Sequence, residues 1–119
     1  VVAEPGANRN RPVAVDLVLI KAEGAIDQIG ALSASDWFRR KGQFDRDFPQ
    51  GLTVLSWEPV PALNLPAREL TDAERDGARA AFVFADYATA GDHRARLESA
   101  DAIRLTLQSD DFTVEKITR

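Results

Sequence analysis

The chain has no cysteine, which excludes a disulfide framework, a thiolate metal site and a cysteine nucleophile. It has no methionine either, not even at position 1, so we expect a processed or truncated piece with any signal peptide upstream of Val1. No apolar run approaches the length of a transmembrane helix. The net charge of −4 argues against nucleic acid or an anionic membrane surface as a partner, because both favour a basic patch.

Residues that carry chemistry are also scarce. His93 is the only histidine, so a metal site would need carboxylates and a Ser-His-Asp triad would need one of the scattered serines beside it. There is no Gly-x-Ser-x-Gly nucleophile elbow and no glycine-rich phosphate loop. We therefore expect His93 to be a polar residue that opens a strand. We expect no catalytic, metal-binding or cofactor-binding residue, and no enzyme.

The aspartates have structural interpretations. Four of them lie in pairs beside predicted turns: Asp45 with Asp47, and Asp110 with Asp111. We expect these to be solvated turn carboxylates rather than acid–base pairs. Asp16 and Asp86 differ because each lies within an apolar strand. We predict that each forms a structural ion pair, with Arg94 or Arg96 as the cation for Asp86.

The length and the strand pattern predict one domain, residues 1–119, with its own core. A chain of 119 residues that is 45% apolar can fold without a disulfide or a metal. Residues 12–20 are apolar on both faces, with Val13, Val15 and Leu17 on one face and Ala14 and Val18 on the other. Such a strand is usually central in a sheet and covered on both sides.

Residues 24–48 change to a helical period. We predict two short helices, about 24–31 and 34–46, and Ser33 to Asp36 has the form of a capping box that opens the second. Four aromatic residues follow in or near this second helix: Trp37, Phe38, Phe44 and Phe48. They could line a ligand groove, but aromatics at helical spacing usually pack on a sheet, and we expect the latter.

The remaining apolar segments alternate as short strands. We predict them at residues 1–3, 52–60, 80–87, 93–97, 102–108 and 112–117, with 62–70 extended. Residues 71–74 predict either one capped helical turn or a polar hairpin loop. Seven or eight strands with one helical insertion predict an antiparallel β-sandwich, with 12–20, 80–87 and 102–108 in its interior.

The order of motifs along nearly the whole chain resembles one bacterial family, the outer-membrane lipoprotein TssJ of type VI secretion systems. The motifs that carry the resemblance are a polar loop ending in proline (8–12), a Val-x-Val-x-Leu strand (13–20), Asp36-Trp37-Phe38, Trp57-Glu58-Pro59-Val60, Ala85-Asp86-Tyr87 and His93-Arg94-Ala95-Arg96. Each motif has low specificity by itself, and the resemblance depends on the order in which the motifs occur.

The resemblance implies a transthyretin-like β-sandwich with added helices and a non-enzymatic, structural role. Members of the family are anchored by a lipidated N-terminal cysteine to the periplasmic face of the outer membrane, which here would lie upstream of Val1. They bind the periplasmic C-terminal region of the inner-membrane subunit TssM through a loop between the first two strands. That loop corresponds to Glu4 to Arg11, which predicts Asn8, Arg9, Asn10 and Arg11 as partner-binding residues.

Two other functions stay open from the residues. One is a periplasmic module that binds peptide or glycan through the region of Trp37 and Phe38. The other is a small transthyretin-like hydrolase of the hydroxyisourate type. Those hydrolases carry a C-terminal Tyr-Arg-Gly-Ser motif and several active-site histidines, whereas this chain ends Glu-Lys-Ile-Thr-Arg and has one histidine.

Overall fold

The computed structural model describes residues 1–62, 64–66, 68–75, 77–97 and 102–117. It is mostly β, with one sheet of four strands and one of three. The strands are β1 Val2–Ala3, β2 Val15–Ile20, β3 Leu52–Trp57, β4 Ala80–Ala85, β5 Arg94–Leu97, β6 Ala102–Leu107 and β7 Phe112–Ile117. The helices are α1 Glu23–Gly30, α2 Ala34–Asp47 and α3 Asp72–Arg75, and Ala7–Arg9 forms one 3₁₀ turn.

The four-stranded sheet confirms that the most apolar strand is central. Its order is β3-β2-β4-β5, and all of its pairings are antiparallel. Every residue of β2 is buried. Its odd-numbered residues, such as Leu17, pack in a cluster that includes residues of the other sheet. The apolar even-numbered residues Val18 and Ile20 pack under the helices.

The three-stranded sheet has the order β1-β6-β7 and departs from the all-antiparallel prediction. β6 and β7 are antiparallel, but β1 runs parallel to β6, with Val2 opposite Thr106. Apolar alternation predicts which face of a strand is buried and carries no information on its direction. The expectation that all of 102–108 is interior is also wrong, since Leu105 and Leu107 are buried while Arg104 and Gln108 are exposed.

The helical insertion is confirmed, with α1 at Glu23–Gly30 and α2 at Ala34–Asp47. α2 begins after Ser33, whose hydroxyl accepts a hydrogen bond from the Asp36 N–H at 3.2 Å. Trp37 is 0% exposed and stacks on Phe84 with 5.3 Å between ring centroids. The aromatics therefore pack on the sheet as expected, and a groove lined by Trp37 is excluded.

Residues 58–75 contain no strand in the part that the structure describes, so the segment predicted to be extended at 62–70 adds no strand to either sheet there. Pro61 and Pro66 have no N–H to donate to a ladder, and one isolated bridge joins Asn64 to Val2. The capped turn is confirmed: the Glu74 N–H donates to the Thr71 hydroxyl, and the Thr71 N–H donates to the Glu74 carboxylate.

Candidate interaction surface at one end of the sheets

Three loops meet at one end of the two sheets, and they include the segment that the family resemblance implies for partner contact. They are residues 4–14 between β1 and β2, 86–93 between β4 and β5, and 108–111 between β6 and β7. The Asn8 N–H donates to the Gln108 carbonyl at 3.1 Å, and the Asp86 N–H donates to the Ala14 carbonyl at 2.8 Å. The first loop therefore lies against both of the others.

Asn8 is the buried anchor of the first loop. Only 4% of it is exposed. Its side-chain amide donates to the Pro12 carbonyl at 3.0 Å, and its side-chain oxygen accepts from the Ala88 N–H at 2.9 Å. Both polar groups of this side chain are thus used inside the protein. The structure places Asn8 as a residue that positions the loop, and leaves Arg9, Asn10 and Arg11 exposed.

The backbone of this loop turns through the left-handed region. Asn8, Arg9 and Asn10 have φ values of 47°, 54° and 64°, and Gly6 has a φ of 84°. Asparagine and glycine adopt this region readily, whereas a residue such as arginine pays roughly 1–2 kcal/mol there. The Arg11 N–H donates to the Asn8 carbonyl at 3.2 Å and helps to hold the turn. Spaced Gly and Asn residues are the sequence signal that predicts such a turn.

The exposed arginines of the loop border a shallow depression. Its volume is about 470 Å³, and it is lined by Arg9, Arg11, Ala88, Thr89 and Ala90. Arg9 Nε lies 3.2 Å from Asp110 Oδ1, and both side chains are more than half exposed. An exposed ion pair contributes about 0–1 kcal/mol, so an incoming carboxylate can take Arg9 from Asp110 at little cost. Guanidinium groups suit carboxylates and backbone carbonyls of a protein partner.

His93 lies behind this depression and joins two of the loops. Its Nδ1 is 2.9 Å from Asp111 Oδ1, and its Nε2 is 3.0 Å from the Thr89 carbonyl and 3.4 Å from the Thr89 hydroxyl. This is the residue order of a nucleophile triad, with threonine in place of serine. The Thr89 hydroxyl, however, donates to the Asp110 carbonyl at 2.9 Å. The nearest neighbour of Nε2 is a carbonyl that has no proton to give, so the arrangement favours loop attachment over activation of Thr89.

Tyr87 completes the attachment of the 108–111 turn. Its hydroxyl donates to the Asp111 carbonyl at 2.8 Å and accepts from the Gln108 N–H at 3.1 Å. Burial raises the pKa of Tyr87 above its ordinary value of 10.0. The hydrogen bonds from Tyr87 and His93 to the 108–111 turn join residues at least 18 apart along the chain, so no local pattern could predict them. His93 itself is buried and directly precedes β5 at Arg94, close to its predicted place.

A second polar cluster lies on the helix-covered face of β2. Asp16 is 1% exposed, and its carboxylate lies 3.2 Å from Lys41 Nζ. This confirms that Asp16 forms an ion pair, although the sequence did not indicate which cation. The carboxylate also accepts from Trp37 Nε1 at 3.0 Å and from the Ser56 hydroxyl at 2.6 Å. These partners belong to α2 and β3. Asp16 therefore ties the helical insertion to the sheet, and both of its oxygens are occupied.

The ion pair predicted for Asp86 is wrong. β4 ends at Ala85, so Asp86 lies just past the strand and is exposed. Within the described ranges it forms no ion pair. Arg94, one of its predicted partners, donates instead to the Leu32 carbonyl at 2.6 Å.

In the part of the chain that the structure describes, no three His, Cys, Asp or Glu side chains lie close enough together to hold a metal ion. No helix there combines the length and the apolar character needed to cross a bilayer. No protein-family model, curated protein or solved structure matches this chain. The case for a function therefore depends on the motif order and on the geometry of the loops.

Proposed function

We propose that this chain is the folded domain of a TssJ-type lipoprotein, a structural adaptor of a type VI secretion membrane complex. It ties the outer membrane to the periplasmic C-terminal region of TssM and performs no catalysis. The motif order along the chain supports this proposal. So does the loop between β1 and β2, which holds the position that the family uses for partner contact.

The packing between the two sheets supports the transthyretin-like sandwich that the proposal includes. One apolar cluster contains residues of both sheets, among them Ala3, Leu105 and Leu107 from one and Val15, Leu17, Leu19 and Val83 from the other. On the opposite face of the four-stranded sheet, α1 and α2 cover a second cluster. Two sheets with a shared core and a helical addition on one outer face are what a sandwich of this family requires.

The observation that carries the proposal is the anchored loop. Both the nitrogen and the oxygen of the Asn8 side-chain amide are hydrogen-bonded inside the protein. The next three residues, Arg9, Asn10 and Arg11, are exposed. A loop that already has its bound shape loses less conformational entropy when a partner binds, so its contacts contribute more to affinity. Loops on a rigid β scaffold commonly carry binding residues for the same reason.

The membrane end of the adaptor lies outside the described residues. The proposal places a lipidated cysteine upstream of Val1. A single acyl chain gives only marginal membrane binding, and stable anchoring takes more than one signal. The three acyl chains of a bacterial lipoprotein meet that need, which leaves the folded domain free to present a surface to its partner.

The proposal is tested by calorimetric titration of the domain with the periplasmic region of the TssM encoded beside its gene. Replacing Arg9 and Arg11 by alanine is expected to weaken binding several-fold and to leave the melting temperature unchanged, because both side chains are exposed. The matched control is the double variant of Arg46 and Arg79, two exposed arginines that precede β3 and β4 at the other end of the sheet.

The control variant removes the same two charges and is expected to bind as the wild type does. Equal weakening of both double variants would show a general charge effect and would move the contact site elsewhere. Absence of binding by the wild-type domain would overturn the adaptor proposal itself.

A further inference from the structure

The two edges of the four-stranded sheet carry different residues. β5, at one edge, contains Arg94 and Arg96. The Arg96 guanidinium lies 5.6 Å from the centre of the Phe82 ring, and Arg94 binds the Leu32 carbonyl. β3, at the other edge, reads Leu-Thr-Val-Leu-Ser-Trp and has no charge. Charged side chains on an edge discourage pairing with another strand, so only β5 carries this protection.

The hydrogen bonds around β3 show which backbone groups point away from the sheet. The Lys21 N–H donates to the Gly51 carbonyl at 2.7 Å, and the Val13 N–H donates to the Pro59 carbonyl at 3.3 Å. Both bonds extend the β2–β3 register beyond the ends of the strands, and in both the residue on the β3 segment is odd-numbered. Because antiparallel neighbours alternate between bonded and non-bonded pairs, the even-numbered residues of β3 direct their N–H and C=O groups outward.

This outward edge is open. Leu52, Val54 and Ser56 are the even-numbered residues of β3, and within the described ranges their backbone groups have no partner outside the ladder. Val54 at the centre is 38% exposed and is one of two exposed large apolar side chains among the described residues. No other strand of the described chain pairs with β3 on this side.

We propose that β3 is a homodimer interface, in which β3 of one copy pairs antiparallel with β3 of a second copy about a two-fold axis at Val54. The opposed residues are then Leu52 with Ser56, Thr53 with Leu55, and Val54 with Val54. Gln50 lies opposite Glu58, so no two like charges face each other along the pair. The same arrangement at β5 would bring arginines of the two copies together.

The self-complementary register is what selects a second copy as the occupant. A two-fold pair uses the edge of both copies and closes, so it gives a dimer and not a growing fibre. A pair of six-residue strands buries less area than the ~1,600 Å² of a standard interface, so the dimer is weak and concentration-dependent. It joins two four-stranded sheets into one continuous sheet.

The lack of native cysteine makes the register directly testable. A Val54→Cys variant carries a single thiol, and opposite residues of a bonded antiparallel pair have Cα atoms ~5.5 Å apart, within disulfide reach. Under mild oxidation we expect it to form disulfide-linked dimers several-fold faster than Val60→Cys. Val60 is 47% exposed but lies beyond the end of β3, so it is the matched control.

Sedimentation equilibrium provides the second arm. The wild-type mass is expected to rise with concentration, and Val54→Lys is expected to abolish that rise while Val60→Lys does not, with unchanged melting temperatures. Cross-linking of Val54→Cys no faster than that of Val60→Cys would overturn the proposal, as would dimerisation of Val54→Lys at the wild-type level. A wild-type chain that is monomeric at every concentration would also overturn it, and protection of the β3 amides by the TssM region would then assign this edge to that partner.

Discussion

The two polar clusters of this domain are built on different principles. Asp16 carries a charge within the central strand, and side chains of α2 and β3 satisfy it. Asn8 and His93 lie in loops, and most of the partners of their side chains are backbone groups of the same or a neighbouring loop. The first cluster joins helix to sheet, and the second sets the shape of a surface. Attachment of the helices and the shape of the loops therefore depend on separate residues, and mutations should distinguish the two.

The largest effect is expected from Asp16→Ala. The change leaves the Trp37 N–H and the Ser56 hydroxyl without their acceptor and leaves Lys41 without its counter-ion. Breaking a buried pair by removing one partner costs about 3–5 kcal/mol, and the lower end applies because the Lys41 side chain is 42% exposed and can turn to water. Urea unfolding measures the loss. Asp45→Ala, an exposed carboxylate on the same helix-bearing side, should change stability by less than about 0.5 kcal/mol.

A smaller loss of stability is expected from Asn8→Ala. The Ala88 N–H and the Pro12 carbonyl lose a buried partner, which costs about 1–3 kcal/mol. The same change should weaken binding of the TssM region, because the loop is no longer held. Asn10→Ala is the control, since Asn10 is an exposed asparagine two residues away with the same left-handed backbone. If both variants keep wild-type stability, Asn8 is not the anchor.

Alkaline pH should act on the loop cluster through Tyr87. Burial raises its pKa above 10.0, so folding favours the protonated phenol. The stability that Tyr87 contributes is therefore fully present below pH 10 and is lost as pH rises beyond that value. Tyr87 is the only tyrosine, so tyrosinate absorbance follows its titration directly. Thermal melts of Tyr87→Phe should show a smaller alkaline loss than the wild type, and identical losses would contradict the assignment.

The smallest change in stability is expected from Asp110→Ala. The Arg9–Asp110 pair is exposed on both sides, and such pairs contribute about 0–1 kcal/mol. The variant should melt within a degree or two of the wild type, which corresponds to a few tenths of a kcal/mol. Freed from Asp110, Arg9 should bind the TssM region at least as tightly as before. Weaker binding would show that Asp110 itself contacts the partner.

The local sequence pattern correctly predicted the position of β2 in its sheet and the packing of α2. Two apolar faces placed β2 at the centre of a sheet, and helical spacing placed Trp37 against the sheet rather than in a groove. The parallel pairing of Val2 with Thr106 could not be predicted, because alternation does not encode strand direction. The predicted strand 80–87 extends two residues beyond the observed end of β4 at Ala85. Asp86 was therefore placed inside the strand and predicted to form an ion pair, whereas it faces solvent.

The candidate surface was only partly predictable for a similar reason. The exposed Arg9 and Arg11 follow from a polar loop before a strand. The role of Asn8 depends on Ala88, which is 80 residues away along the chain. The same holds for the contact between His93 and Asp111, which exists only after two separate strand pairs have formed. Such contacts arise from topology and leave no periodic signal in the sequence.

Of the two polar clusters, only the loop cluster is proposed to belong to the surface that contacts TssM. The most direct measurement is amide hydrogen exchange of the domain with and without the periplasmic region of TssM. The account predicts new protection at residues 8–12, 88–90 and 110–111, and unchanged exchange in α2 around Trp37 and Lys41. New protection centred on α2, with the three loops unchanged, would contradict it.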